Sequence, residues 1–285
     1  MNDQLNAGGK IPVRIFQMTV AVFAMAACFT HSVSAVEIIA HRGASHEFPE
    51  NTLSAFNAGY AQGADACELD IHLTRDRKIV VMHDDNTLRT AGVSHRIAAE
   101  KWKALKDLNI SEWGKWKGKG FTDTLPLLEE ILPWIPDGKR LFIEIKSSPD
   151  ILPELKKILS ASGRIPEQIV LIGFDFETMR RAKKDFPEIP VYWPAAANRK
   201  NPGAPTAQEL VEKVRAAGLD GLNLDQHFPI DAAFVETVHQ AGLKLFTWTV
   251  DDPNIARAEA KAGVDGITTN RPKWLHEQLR DSGEQ

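Results

Sequence analysis

The chain predicts an α/β fold, a (β/α)8 TIM barrel carrying a hairpin and a short insertion in its second βα loop. Three observations carry this expectation. Short strand-like segments alternate with amphipathic helical stretches from Val36 onward. Several of the strands are nearly continuous apolar runs, as parallel strands covered by helices are. Glycine closes helices in Ala217-Gly218, Ala241-Gly242 and Ala262-Gly263, each just before a strand.

The first 35 residues stand apart from that rhythm. Lys10 and Arg14 precede an apolar run from Ile15 to Phe29, and Val33 and Ala35 are the small residues before a cut. Residues 1–35 thus have the layout of a secretory signal peptide, residues 36–285 form the barrel domain, and export to the periplasm or beyond is expected. The run is shorter than the roughly 20 residues that span a bilayer. The alternatives are an uncleaved anchor or a lipoprotein attached through Cys28. Cleavage leaves Cys67 without a disulfide partner, and its place between Ala66 and Glu68 on a strand points to a buried structural thiol.

Barrel strands are expected at 36–40, 66–70, 141–145, 168–174, 189–193, 221–224, 244–250 and 266–269. The first helix follows Pro49-Glu50-Asn51-Thr52, with Asn51 or Thr52 as its N-cap and Gly63 as its stop. Later helices are expected at 125–134, 151–160, 176–185, 206–217, 231–241, 253–262 and 272–280. A ninth strand, 78–82, follows the second too closely for a crossover helix. Residues 71–82 therefore read as a hairpin turning at Thr74-Arg75-Asp76-Arg77, whose returning arm brings His83 to the C-terminal face of the barrel. Residues 86–123 form an insertion with a short helix around 97–108 and a Trp/Lys/Gly stretch at 113–121. That stretch reads either as a mobile lid or a contact for an anionic surface, or as a solvated loop whose tryptophans pack on the rim.

Hydrophobic residues make up 43% and charged residues 25% of the chain, enough apolar content for a full core. The net charge of -4 and the lack of a long basic run argue against a nucleic-acid partner.

Chemistry concentrates in a few strand ends. Glu68 and Asp70 lie two apart on a strand, so they share a face. Such a pair repels unless a cation sits between the carboxylates, and a hard divalent ion with oxygen ligands does so. Glu144 is a third candidate ligand, although with Lys146 it also reads as a structural ion pair. His41 and His83 are suited to pass protons near neutral pH, and Arg42 and Lys146 to hold a phosphate. Together these groups suit cleavage of a phosphodiester.

His41-Arg42-Gly43, Pro49-Glu50-Asn51-Thr52, Glu68-Leu69-Asp70, His83-Asp84, Glu144-Ile145-Lys146 and Phe246-Thr247-Trp248-Thr249-Val250 resemble, in sequence and order, the glycerophosphodiester phosphodiesterases. The one departure is Asp76-Arg77 where the hairpin usually turns on Asp-Gly. The resemblance implies the barrel fold, Glu68, Asp70 and Glu144 as ligands of one Mg2+ or Ca2+, and His41 and His83 as catalytic histidines. It also implies phosphate contacts from Arg42 and Lys146, and a substrate pocket lined by Trp248 and Asn270. The expected reaction is hydrolysis of a small-molecule glycerophosphodiester to sn-glycerol 3-phosphate and an alcohol. Either the glycerol hydroxyl attacks first, giving a cyclic phosphate that water opens, or water attacks directly. Two other readings stay open: a phospholipase D-like enzyme on lysophospholipids touching a membrane surface through 113–121, and a secreted binding protein without activity.

Overall fold

The computed structural model describes residues 36–197 and 204–280. The signal peptide expected at 1–35, with Cys28, lies outside the described residues.

Eight parallel strands close into a barrel, and a ninth is added antiparallel at one edge. In chain order they are β1 Glu37–Ala40, β2 Ala66–Leu73, β3 Ile79–Val81, β4 Arg140–Ile145, β5 Ile169–Ile172, β6 Val191–Ala195, β7 Gly221–Asp225, β8 Lys244–Trp248 and β9 Gly266–Thr269. Every barrel strand pairs in parallel with the next, and β1 pairs with both β2 and β9, which closes the ring. The outward-facing residues pack beneath the helices in the main core, while Ile39, Phe142, Val170, Tyr192 and Phe246 fill the barrel interior. A ring of aromatic contacts (Phe142 on Tyr192 and Phe246) plugs the interior below the site.

One device repeats at the lower end. Asp65, Asp220 and Asp265 each precede a strand, and each carboxylate accepts the backbone N–H of a neighbouring strand, at Ile38, Val191 and Leu245. These bonds satisfy strand-end donors and help set the register.

The hairpin reading holds, with β2 longer than expected. The barrel strand runs on without a break to Leu73 and supplies the first arm, and Ile71 faces Val81 across it. The turn carries Arg77 at φ 62, the left-handed conformation that glycine adopts at no cost. Helices Phe176–Asp185, Pro253–Ala262 and Pro272–Arg280 match expectation residue for residue. Gly218, Gly242 and Gly263 all sit past helix ends with positive φ.

Two expectations need correction. The helix placed at 97–108 is a 3-10 turn, Ile97–Ala99, followed by a separate helix, Trp102–Leu105. Asp76 at the hairpin tip accepts the Trp102 N–H and so starts a new helix instead of continuing the old one. The helix placed at 125–134 begins only at Leu128. Leu127 bridges Val80, and Pro126 accepts the Val81 N–H, so this stretch is drawn out along the hairpin. At the first helix, Leu53–Ala61, Thr52 is the N-cap and accepts from Ala55. Asn51 turns inward instead, at φ 57.

Cys67 is fully buried, with its thiol held against the Phe56 carbonyl, as expected. Burial pushes it far above the ordinary thiol range, so it carries no thiolate.

Candidate active site

A cavity of about 290 Å3 opens at the C-terminal face of the barrel. Each barrel strand contributes one residue to its wall, from within the strand or just past its end. β1, β2 and β4 provide His41, Glu68 and Glu144. β5, β6, β7 and β8 provide Ile172, Pro194, Asn223 and Trp248, and β9 closes the circle with Thr268. One side of the ring is therefore charged and the other mainly apolar. Loop residues Arg42, His83 and Lys146 complete the charged side, and Phe174 the apolar side.

The His-Arg-Gly turn explains how the charged side is aimed. Gly43 has φ +81, and a Cβ there would lie 2.5 Å from the backbone of Ala55. Arg42 is itself left-handed, at φ 55, a strained state for a side-chain-bearing residue. In this conformation its backbone N–H donates to Glu68 Oε2 at 2.9 Å. Its guanidinium donates to Glu50 at 2.8 Å and lies 3.4 Å from Asp70.

Glu68, Asp70 and Glu144 present carboxylate oxygens that all lie within 4.8 Å of one another. Burial, followed by Asp70 and Glu144, pushes Glu68 well above the ordinary carboxylate range. Burial and Asp70 raise Glu144 to about 6. Burial works in the same direction on Asp70, but the charges of Arg42, Lys146 and His83 outweigh it and hold Asp70 below its usual value. Asn51 brackets the same carboxyl, donating to Asp70 Oδ2 and accepting its backbone N–H. Even so, Glu68 Oε1 and Asp70 Oδ1 are buried without a hydrogen-bond donor among the described residues. Lys146, 2.8 Å from Glu144 and 3.3 Å from Asp70, offsets part of the charge. Two undonated oxygens amid three carboxylates fit a hard divalent cation bound through oxygen.

The two histidines line the same cavity but have unlike partners. His41 Nδ1 lies 2.8 Å from Asn270 Oδ1, and the Asn270 amide nitrogen donates to Asp251. The Asn270 oxygen therefore faces the ring, Nδ1 donates to it, and Nε2 keeps its lone pair. Burial, and then the Arg42 charge, pushes His41 down to about 4. His83 Nδ1 instead donates to the Asp84 carboxylate at 2.8 Å. Partial burial would raise Asp84, but hydrogen bonds from Arg89 and His83 hold it at about 2. His72, two residues past Asp70, has Nε2 3.1 Å from the His83 carbonyl and so fixes the backbone there.

Arg89 ties the two loops together. It donates to both oxygens of Glu50, the partner of Arg42, and to both oxygens of Asp84, the partner of His83. Neither Arg89 nor His72 is visible as a site residue in the sequence, because each acts through a contact that only the fold creates. Asn270 stands behind His41, on an adjoining cleft that shares His41 and Arg42 with the main cavity. Trp248 does line the cavity, with its indole N–H donated to the Asn223 carbonyl and its ring edge-on to Phe174 at 5.4 Å. In the 113–121 stretch the tryptophans pack on the rim. Trp116 is buried between the Phe121 ring and the Lys115 and Lys119 ammonium groups, and Trp113 lies under Arg89.

Comparison with known proteins places the chain among a family of enzymes. The profile of the glycerophosphoryl diester phosphodiesterase family matches residues 41–274. A glycerophosphodiester phosphodiesterase of Caldanaerobacter subterraneus is 33% identical over 255 residues, covering 86% of this chain and 98% of its own. One from Bacillus subtilis is 28% identical, covering 84% of each chain. Among solved structures, a phosphodiesterase from Oleispira antarctica, in complex with the product sn-glycerol-3-phosphate, superposes with a TM-score of 0.75 at 26% identity. That match covers 86% of this chain and 96% of the other.

Proposed function

Because the chain belongs to the glycerophosphoryl diester phosphodiesterase family, we propose that its two histidines divide the proton transfers, His41 as base and His83 as acid. The protein hydrolyses glycerophosphodiesters to sn-glycerol 3-phosphate and an alcohol, and the phosphate lies among Arg42, Lys146 and the three carboxylates.

The unlike partners of the two histidines carry this assignment. His41 is held neutral, with Nε2 free to take the proton of the attacking oxygen. His83 Nδ1 is held by the ionised Asp84 carboxylate, which fixes the ring and leaves Nε2 to serve the departing alkoxide. Arg42 and Lys146 hold the phosphate oxygens and offset the charge that builds on them. A divalent cation held by Glu68, Asp70 and Glu144 would add Lewis-acid stabilisation of that charge, and either Mg2+ or Ca2+ suits the oxygen donors.

Leaving-group dependence tests the assignment. His41→Ala and His83→Ala should each lower turnover of glycerophosphocholine by about 10²–10⁴-fold. With a 4-nitrophenyl phosphodiester, whose leaving group needs no proton, the His83→Ala loss should shrink while the His41→Ala loss persists. The reverse pattern would exchange the roles, and near-normal turnover in both variants would remove them.

We assign residues 1–35 to a signal peptide and the barrel to an exported protein, on the layout of charge, apolar run and small residues. Recovery of a mature chain beginning at Val36 would support this, and an intact N-terminus on the exported protein would count against it. Transient contact with an anionic membrane would rest on the exposed Lys115, Lys117 and Lys119, since the indoles are packed inward.

A further inference from the structure

We propose that Asn223 reads a glycerol hydroxyl of the substrate and so sets the specificity of the apolar half of the cavity. The inference rests on the hydrolysis of glycerophosphodiesters described above.

Asn223 is 3% exposed and lies on β7 between Pro194 and Phe246 in register. Strand alternation turns it into the barrel, while Leu222 and Leu224 face the helices. Its backbone carbonyl is used by the Trp248 indole, but its side-chain oxygen has no hydrogen-bond partner among the described residues. The other unpartnered polar atoms around this cavity are Arg42 Nε, Glu68 Oε1 and Asp70 Oδ1, all set within the cluster of opposite charges. Asn223 instead takes part in no ion pair among the described residues, and the cavity wall it shares includes Ile172, Phe174, Pro194 and Trp248.

A buried amide oxygen without a donor is costly, and such groups are rare unless a ligand completes them. An acceptor calls for a donor on the ligand. The glycerol part of the substrate supplies hydroxyl donors, and its carbon-bound face suits the rings of Trp248 and Phe174. A quaternary ammonium alcohol such as choline has no N–H to offer. Asn223 therefore favours the invariant glycerol over a choline head-group in this half of the cavity, and that alcohol departs on the charged side.

A binding comparison tests this directly. The probes are sn-glycerol 3-phosphate and n-propyl phosphate, which keeps the phosphate and carbon chain but lacks both hydroxyls. Asn223→Leu should weaken sn-glycerol 3-phosphate by about 10- to 100-fold, the effect of losing one buried hydrogen bond. Its affinity for n-propyl phosphate should stay within about twofold, so the preference for the hydroxylated ligand collapses. Equal weakening of both ligands, or no weakening of the first, would overturn the proposal. If the leucine variant does not fold, Asn223→Ala is read by the same criterion. Wild-type turnover of glycerophosphocholine is measured alongside. Its absence would strike at the assigned reaction, whereas normal turnover with unselective binding in the variant would strike only at Asn223.

Discussion

The two halves of the catalytic ring differ in how their side chains are satisfied. On the charged side almost every group is held by another: Lys146 by Glu144, Asp70 by Asn51 and Arg42, Arg42 by Glu50, Glu50 by Arg89, and Arg89 by Asp84. The chain of contacts runs from the carboxylates to His83 and fixes the geometry before substrate arrives. On the apolar side Trp248 and Phe174 form a wall by packing, with one amide in it left unpaired. The contrast assigns chemistry to the preorganised charges and selection to the wall, because a networked charge moves at high cost while an unpaired acceptor gains only when the correct ligand fills it.

Breaking the charged half at its centre should have the largest effect. Glu68→Gln removes a carboxylate from the proposed cation site and should lower kcat/KM by about 10³-fold, equivalent to several kcal/mol of transition-state stabilisation. Steady-state kinetics with Mg2+ and Ca2+ check this, and a loss below tenfold would place the chemistry elsewhere.

Cutting the network at its outer link should cost less. Arg89→Ala leaves both histidines in place but frees Glu50 and Asp84, and a loss of about tenfold in kcat/KM is expected, as for groups that orient ligands from behind. Arg89→Lys should not restore activity, since one ammonium cannot make the paired contacts of the guanidinium. Recovery with lysine would reduce the role of Arg89 to bare charge.

The mildest test concerns the backing of the apolar half. Glu259, on the helix outside β8, accepts the Thr247 hydroxyl, and burial followed by the nearby Asp225 raises it to about 7 from an ordinary value of 4.5. In that window the folded protein keeps the proton while the unfolded chain releases it. The stabilisation is full below pH 4.5 and is lost as pH rises through about 7, by about 3 kcal/mol in all. Glu259→Gln should flatten this decline in melting temperature and leave kcat at neutral pH close to wild type. An unchanged pH dependence would show that Glu259 titrates normally.

The charged half was largely readable in the chain, and the apolar half was not. Glu68 and Asp70 stand out by spacing, because two carboxylates on one strand face repel unless positive charge offsets them. His83 was placed through the short Asp76-Arg77 turn, which forbids a crossover. Arg77 now proves to hold the left-handed conformation, with its side chain bound to Glu154 and the Asp150 carbonyl. Asn223 was hidden, since an asparagine in an apolar strand marks a special position only once its neighbours show that nothing pairs with it. The contact of Asn270 with His41 was not legible, because it depends on the approach of β1 to β9. The Trp/Lys stretch at 113–121 kept two readings open because exposure cannot be read from composition: Trp116 packs on Phe121 and under the Lys115 ammonium, and Phe121 packs on Phe48.

Titrating Mg2+ and Ca2+ by calorimetry into metal-stripped wild type and Glu68→Gln tests the division of the ring most directly. One ion should bind per wild-type chain, and the glutamine variant should bind it at least about tenfold more weakly. A wild type that binds neither ion, or a variant that binds as tightly as wild type, would contradict the assignment of the charged half to a metal-assisted phosphodiester cleavage.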